Sequence, residues 1–167
     1  MSLMIERAKP KDAKELLELM KKIGSESDNV TFGSDGLPFT IEEEENFLKS
    51  REESLLSPFF VARYNGKIIG TANLDVVDRD RLRHRGEIGV SVLKQYWGQG
   101  IGTLLLRELI KYAMFHEIEI LTLNVRCDNE RAIGLYKKFN FQKTGTLIGA
   151  MKINGELIDC DIMILKV

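Results

Sequence analysis

The chain has 167 residues, 44% of them hydrophobic and 29% charged, with a formal net charge of −1. Such a length suits one domain, able to bury about two thirds of its unfolded surface without disulfides or metals. The near-neutral balance offers no basic excess for nucleic acid or a membrane surface, and neither partner is expected. Two cysteines (Cys127, Cys160) and two histidines (His84, His116) lack zinc-ligand spacing, so no metal is expected. A reduced, cytoplasmic compartment fits this cysteine usage. No apolar run approaches the ~20 residues of a membrane span, and no signal-peptide core opens the chain. Met1-Ser2-Leu3 ahead of Met4 reads as an expression remnant, so the domain is taken as residues 4–167.

In chain order, Met4 to Arg7 reads as a short first strand. Pro10 suits the first turn of a helix in which Ala13, Leu16, Leu17, Met20 and Ile23 recur at helical spacing. A polar loop from Ser25 to Phe39 follows, and Thr40 with Glu43 resembles a capping box opening a second helix that runs to about Ser50. Phe59–Tyr64 and Lys67–Val77 read as strands joined by Asn65-Gly66, a strong hairpin signal. A charged loop, Asp78 to Arg85, leads into a strand over Glu87–Val92.

A glycine-rich stretch then opens a helix that lines up Ile101, Leu105, Leu109 and Tyr112. Ile118–Val125 is apolar on both alternating faces, as for a central strand covered on both sides. Glu130–Phe139 is a short helix. Thr144–Lys152 and Glu156–Lys166 form a closing hairpin around Asn154-Gly155, an edge through which a homodimer can pair. The order predicts an α+β domain: one mixed, mostly antiparallel sheet of about seven strands flanked by about four helices.

The stretch Gln95-Tyr96-Trp97-Gly98-Gln99-Gly100-Ile101-Gly102-Thr103 carries the functional signal. Alternate glycines at a strand-to-helix junction bring backbone N–H groups close to an anion, and the helix dipole adds roughly half a positive charge there. A dinucleotide fingerprint would need a third glycine three residues after the second, where Thr103 stands, and a place at the first strand of a βαβ unit. A Walker loop would need Gly-Lys before Thr103. A tight turn without a ligand needs one glycine, whereas three in five residues cost up to ~1 kcal/mol each in a helical first turn.

Gln95-x-x-Gly98-x-Gly100 with Ile101-Gly102 resembles the acetyl-coenzyme A loop of the GNAT superfamily of N-acetyltransferases. Asn129-Glu130-Arg131-Ala132 and Tyr136-Lys137-Lys138-Phe139 follow in that family's order. The ending from Gly145 through Asn154-Gly155 to Met163 resembles the branch of spermidine and ribosomal-protein N-terminal acetyltransferases. The resemblance implies an N-acetyltransferase with acetyl-coenzyme A as cosubstrate and an amine acceptor, small molecule or peptide, attacking directly in a ternary complex. A non-catalytic coenzyme A-binding regulatory module, and an acyltransferase using another acyl donor, stay open beside it.

By the same resemblance, the backbone of Gly98, Gln99, Gly100, Ile101, Gly102 and Thr103 holds the diphosphate, with help from Gln95. Val90, Ser91 and Val92 line the pantetheine arm, which lies along their strand as a pseudo-strand. Trp97 either covers the cofactor or packs beside the helix, the second being the preferred reading. Asn129 is a natural N-cap and also meets the cofactor in the family. Tyr136, seven residues on and so two turns away on the same face, resembles the family's general acid for the leaving thiolate. Glu87 resembles a general base, with small Gly89 and Ser91 leaving room on its strand face; a water chain is the other route for the proton. Asn124 stands where some relatives carry a second candidate base.

Overall fold

The computed structural model describes residues 2–167, in which seven strands form one sheet in the order β1-β2-β3-β4-β5-β7-β6. The strands are β1 (Leu3–Arg7), β2 (Phe59–Tyr64), β3 (Lys67–Val76), β4 (Arg85–Val92), β5 (Ile120–Arg126), β6 (Gln142–Ile153) and β7 (Glu156–Lys166). The helices are α1 (Ala13–Glu26), α2 (Ile41–Glu53), α3 (Ile101–Phe115) and α4 (Glu130–Lys138). All neighbouring strands run antiparallel except β4 and β5. The element count and mixed sheet agree with the α+β expectation. No helix among the described residues is long and apolar enough to cross a membrane.

Local chemistry accounts for most element boundaries. The capping box forms: Thr40 Oγ1 accepts from the Glu43 amide at 3.1 Å, and Glu43 Oε2 accepts from the Thr40 amide at 2.8 Å. Asn65 and Asn154 both take positive φ ahead of a glycine, as the two tight hairpin turns require. Asn140 ends α4 at φ 68°, the left-handed cap that asparagine tolerates. Pro10 begins a single 3₁₀ turn that runs into α1 at Ala13. The first strand starts at Leu3, and the Ser2 carbonyl accepts from the Asn65 amide. Those residues therefore take part in the fold, whereas their sequence reads as a remnant.

Ring contacts assign the two sheet faces. Phe59 meets Phe47 of α2 at 6.0 Å, and its neighbour Phe60 meets Tyr112 of α3 at 5.8 Å, so α2 and α3 cover opposite faces. The strand register carries this across the sheet. Phe60, Ala72 and Val90 pair in a row on the α3 face, and Phe59, Asn73 and Gly89 on the α2 face. Leu105, Leu106, Leu109 and Ala113 of α3 and Leu16, Met20, Ile23 and Leu48 of the α1–α2 layer are all buried.

β5 departs from expectation. Its regular pairing begins at Ile120, not Ile118, and only Leu121, Leu123 and Val125 are buried; Asn124 on the other face is exposed. The apolar run is thus covered by helices on one side only.

Candidate active site

The parallel pairing of β4 with β5 covers only Arg85–Glu87 against Ile120–Thr122. β4 continues to Val92 and β5 to Arg126 without further pairing to each other, so the sheet splits at its centre. Main-chain direction alternates along a strand. Leu93 donates its amide to Ile69 of β3 at 2.9 Å, so Gly89 and Ser91 turn their polar main-chain groups to β3 as well. Ile88, Val90 and Val92 turn theirs into the split. The Gly86 carbonyl, accepting from the Thr122 hydroxyl, and the Val92 carbonyl, accepting from the Trp97 indole, point the same way.

The glycine loop closes over the same end of β4. Gly98 and Gly100 sit at φ 75° and 82°, and a side chain at either would meet no other atom within 4 Å. Backbone conformation, not crowding, therefore demands glycine there, and the space above the loop stays open. No side chain caps the N-terminus of α3, and its first turn has no acidic residue. Its leading N–H groups therefore have no side-chain partner at the helix start. Gly102 serves differently: a Cβ there would lie 3.2 Å from Leu135 Cδ2, so its bare backbone lets α4 pack against the start of α3. Gln95 is exposed on a 3₁₀ turn, and its carbonyl accepts from Gln99 Nε2 at 3.0 Å.

α4 delivers two of the expected residues. Asn129 caps it, Oδ1 accepting from the Ala132 amide at 3.3 Å, and also lines a cleft of about 650 Å³ at the open end of the split. Tyr136 is 8% exposed, its ring edge-on to Phe141 at 5.7 Å. Its hydroxyl has no hydrogen-bond partner among the described residues and is not sealed from solvent. Burial pushes the phenol up to about 12, so it holds its proton throughout the neutral range.

Glu87 lies elsewhere. It is exposed on the α2 face, directly across from Asp75 on β3 and beside Thr122 of β5. Asp75 pairs with Arg51 of α2 and accepts from Asn73 Nδ2 at 2.9 Å. The acid and base candidates thus stand on the two sides of the split, Tyr136 with α4 and α3 and Glu87 on the opposite face. Ser91 commits its main chain to β3, and its side chain turns to the face of Glu87.

Other residues also line the cleft, among them Glu26 and Asp28 of the acidic stretch Ser25-Glu26-Ser27-Asp28, which the family resemblance places beside the acceptor site. The Lys94 amide donates to Glu26 Oε1 at 2.6 Å, and Arg126 Nη1 to the Asp28 carbonyl at 3.2 Å. Residues 26–28 therefore reach both strand ends across the split. Arg126 is also paired with Asp128, which is held below the usual carboxylate range by that hydrogen bond. Trp97 is half-buried and turned into the split, not laid along the helix, with Arg131 of α4 over its ring. For Trp97 and Arg131, the sequence offered only a lone tryptophan in the loop and an arginine two residues after Asn129.

The split parallel pair and the glycine-bearing helix N-terminus at its open end are the candidate site. Residues 14–141 match the Acetyltransferase (GNAT) family, and the chain belongs to it. It is similar to an acetyltransferase of that family from Streptococcus pneumoniae, with 35% identity and a TM-score of 0.96 over 99% of this chain and 100% of that one. Among curated proteins, it is 32% identical over 104 residues to the L-amino acid N-acetyltransferase AaaT of Escherichia coli, covering 62% of this chain and 64% of that protein. It is 32% identical over 94 residues to the N-alpha-acetyltransferase RimI of Mycobacterium tuberculosis, covering 56% and 58%. The matches span less than two thirds of either curated relative. A putative ribosomal protein bS18-alanine N-acetyltransferase of Bacillus subtilis, 27% identical over 112 residues and covering 67% of this chain and 72% of that protein, agrees with the resemblance to the ribosomal-protein branch.

Proposed function

We propose that this protein is an N-acetyltransferase that moves an acetyl group from acetyl-coenzyme A to a primary amine by direct attack in a ternary complex. The observation that carries this reading is the split between β4 and β5, with the uncapped α3 N-terminus and its open glycine loop at one end. When bound, acetyl-coenzyme A supplies an acetyl group activated as a thioester. The backbone N–H groups of Gly98 to Thr103 hold its diphosphate, and Asn129 adds a side-chain contact. Val90 offers both an N–H and a carbonyl to the amide-rich arm. An N–H aimed at the thioester oxygen is worth about 3–4 kcal/mol in acyl transfer.

Glu87, on the α2 face, accepts the proton of the incoming amine, directly or through water. Tyr136, protonated by virtue of its burial, donates to the departing thiolate. The two proton-transfer groups lie on opposite faces, which suits donor and acceptor entering from opposite sides. The names of two of the curated relatives speak of L-amino acids and of N-alpha-acetylation, and we extend that class here: an α-amine, of a small molecule or a peptide N-terminus. With a pKa near 7.7–8, roughly a tenth or more of a peptide α-amine is neutral at pH 7, against well under a hundredth of a lysine amine. A modest, solvated base such as Glu87 suffices for it.

The test is an amine panel with acetyl-coenzyme A, read as released thiol, together with thermal melting. Acetyl-coenzyme A at ~100 times its dissociation constant raises stability by about 2.7 kcal/mol. An unchanged melting temperature at saturating acetyl-coenzyme A refutes the donor. Thiol release with α-amines and not with lysine side chains supports the acceptor class, and the reverse preference overturns it.

A further inference from the structure

The open end of the split holds a contact that this chemistry does not use. Trp97, the single tryptophan of the chain, donates Nε1 to the Val92 carbonyl at 2.8 Å. Arg131 lies on the same ring, with Cζ 3.4 Å from its centroid, and Lys94 Nζ stands 5.8 Å away. The indole thus joins the β4–α3 loop to α4 and occupies the last main-chain acceptor that β4 turns into the split. Arg131 pairs with no carboxylate among the described residues, unlike Arg126 beside it. Both residues line the 650 Å³ cleft with Asn129.

An extended ligand with amides and phosphates competes for the same groups. Its amide N–H has the chemistry of the indole N–H and seeks the carbonyl that the indole holds. Its phosphate seeks a guanidinium that is now spent on a ring face. Cation–π pairs and single neutral hydrogen bonds are weak enough for such a ligand to replace.

We infer that Trp97 is a displaceable plug: entry of the coenzyme A arm lifts the indole off Val92 and frees Arg131 to meet a phosphate of the ligand. The inference rests on the coenzyme A reading of the split. It gives the unliganded protein an indole-held Val92 carbonyl beside the open cleft and makes Trp97 and Arg131 part of the cofactor path.

The lone tryptophan reports on its own position. Coenzyme A in its free thiol form is titrated into the intact protein, so that no turnover occurs. Emission and acrylamide quenching are followed, with calorimetry on the same samples. We expect a red shift and rising quenching in step with the calorimetric saturation. Trp97→Phe keeps a ring beneath Arg131 but has no N–H to break, and binds coenzyme A about twofold to tenfold more tightly, the equivalent of one net hydrogen bond. Arg131→Ala shows raised quenching before any ligand is added.

Calorimetric binding with a blue shift or falling quenching makes Trp97 a fixed wall and overturns the plug, while leaving the coenzyme A reading intact. Weaker binding by a folded Trp97→Phe does the same. Absence of any binding heat and of any emission change sinks both together. If Trp97→Phe does not fold, the quenching of the unmodified protein still decides.

Discussion

Removing one oxygen atom from Tyr136 separates its proposed catalytic role from its packing. In Tyr136→Phe the ring keeps its edge-on contact with Phe141 and its place in the core. The hydroxyl that is lost has no hydrogen-bond partner among the described residues, so no internal bond is broken. The melting temperature at pH 7 should therefore change by no more than about 2 °C, the size expected of a perturbation of about 0.5 kcal/mol in a chain of this length. Losing the proton donor, in contrast, lowers kcat by roughly 10²–10⁴, about 2.7–5.4 kcal/mol in activation free energy.

The pH axis supplies a second signature. The folded phenol sits at about 12, above its ordinary value of 10. The folded chain thus keeps a proton that the unfolded chain gives up. The stability from this group is intact below pH 10 and is lost as pH climbs through 12, about 2–3 kcal/mol in all. Tyr136→Phe should lack that part of the alkaline fall. Thiol release measured at saturating donor and acceptor, with melts from pH 7 to 11.5, tests both signatures. A variant that turns over like the parent refutes Tyr136 as the acid; one that loses stability at pH 7 along with activity shows the hydroxyl to be structural.

Glu44 is 3% exposed with Oε2 unpartnered, and burial raises its pKa. Its contribution to stability is therefore present below about pH 4 and is lost as pH rises through its folded value. Glu44→Gln should melt a few degrees higher than the parent at pH 7–8, the gap closing near pH 4; a lower melting temperature at pH 8 would show that the charge is compensated. Gly100→Ala puts a side chain at φ 82°, costing roughly 1–2 kcal/mol by conformation alone, because the Cβ itself meets nothing. It should lower both the melting temperature and the calorimetric affinity for coenzyme A, and unchanged affinity would detach the loop from the ligand. Thr40→Ala removes the cap of α2 and should cost about 1 kcal/mol, or about 2–4 °C, with coenzyme A affinity unaltered. A melting curve identical to the parent's would mean that the cap is redundant.

The features legible from the sequence are those set within a few residues. Thr40 and Glu43 meet because a capping box spans a single turn. Asn65-Gly66 and Asn154-Gly155 fold back because only such residues take both positive φ angles cheaply. The order of seven strands and four helices, the glycine loop and the Asn129–Tyr136 spacing belong to this class, and the family resemblance rests on them. What tertiary structure alone decided depends on groups far apart in the chain. The shortness of the β4–β5 pairing cannot be read in either strand, since each is long enough to pair further. Nor does either strand reveal that Asn124 stays uncovered, because covering a face depends on which helix crosses it. The burial of Glu44 on α2, the reach of Arg126 to Asp28 and the seating of Trp97 between Val92 and Arg131 follow from how α1, α2 and α4 dock. Local rules place a glycine-bearing loop at the start of α3; only the docked sheet and helices decide what lies on either side of it.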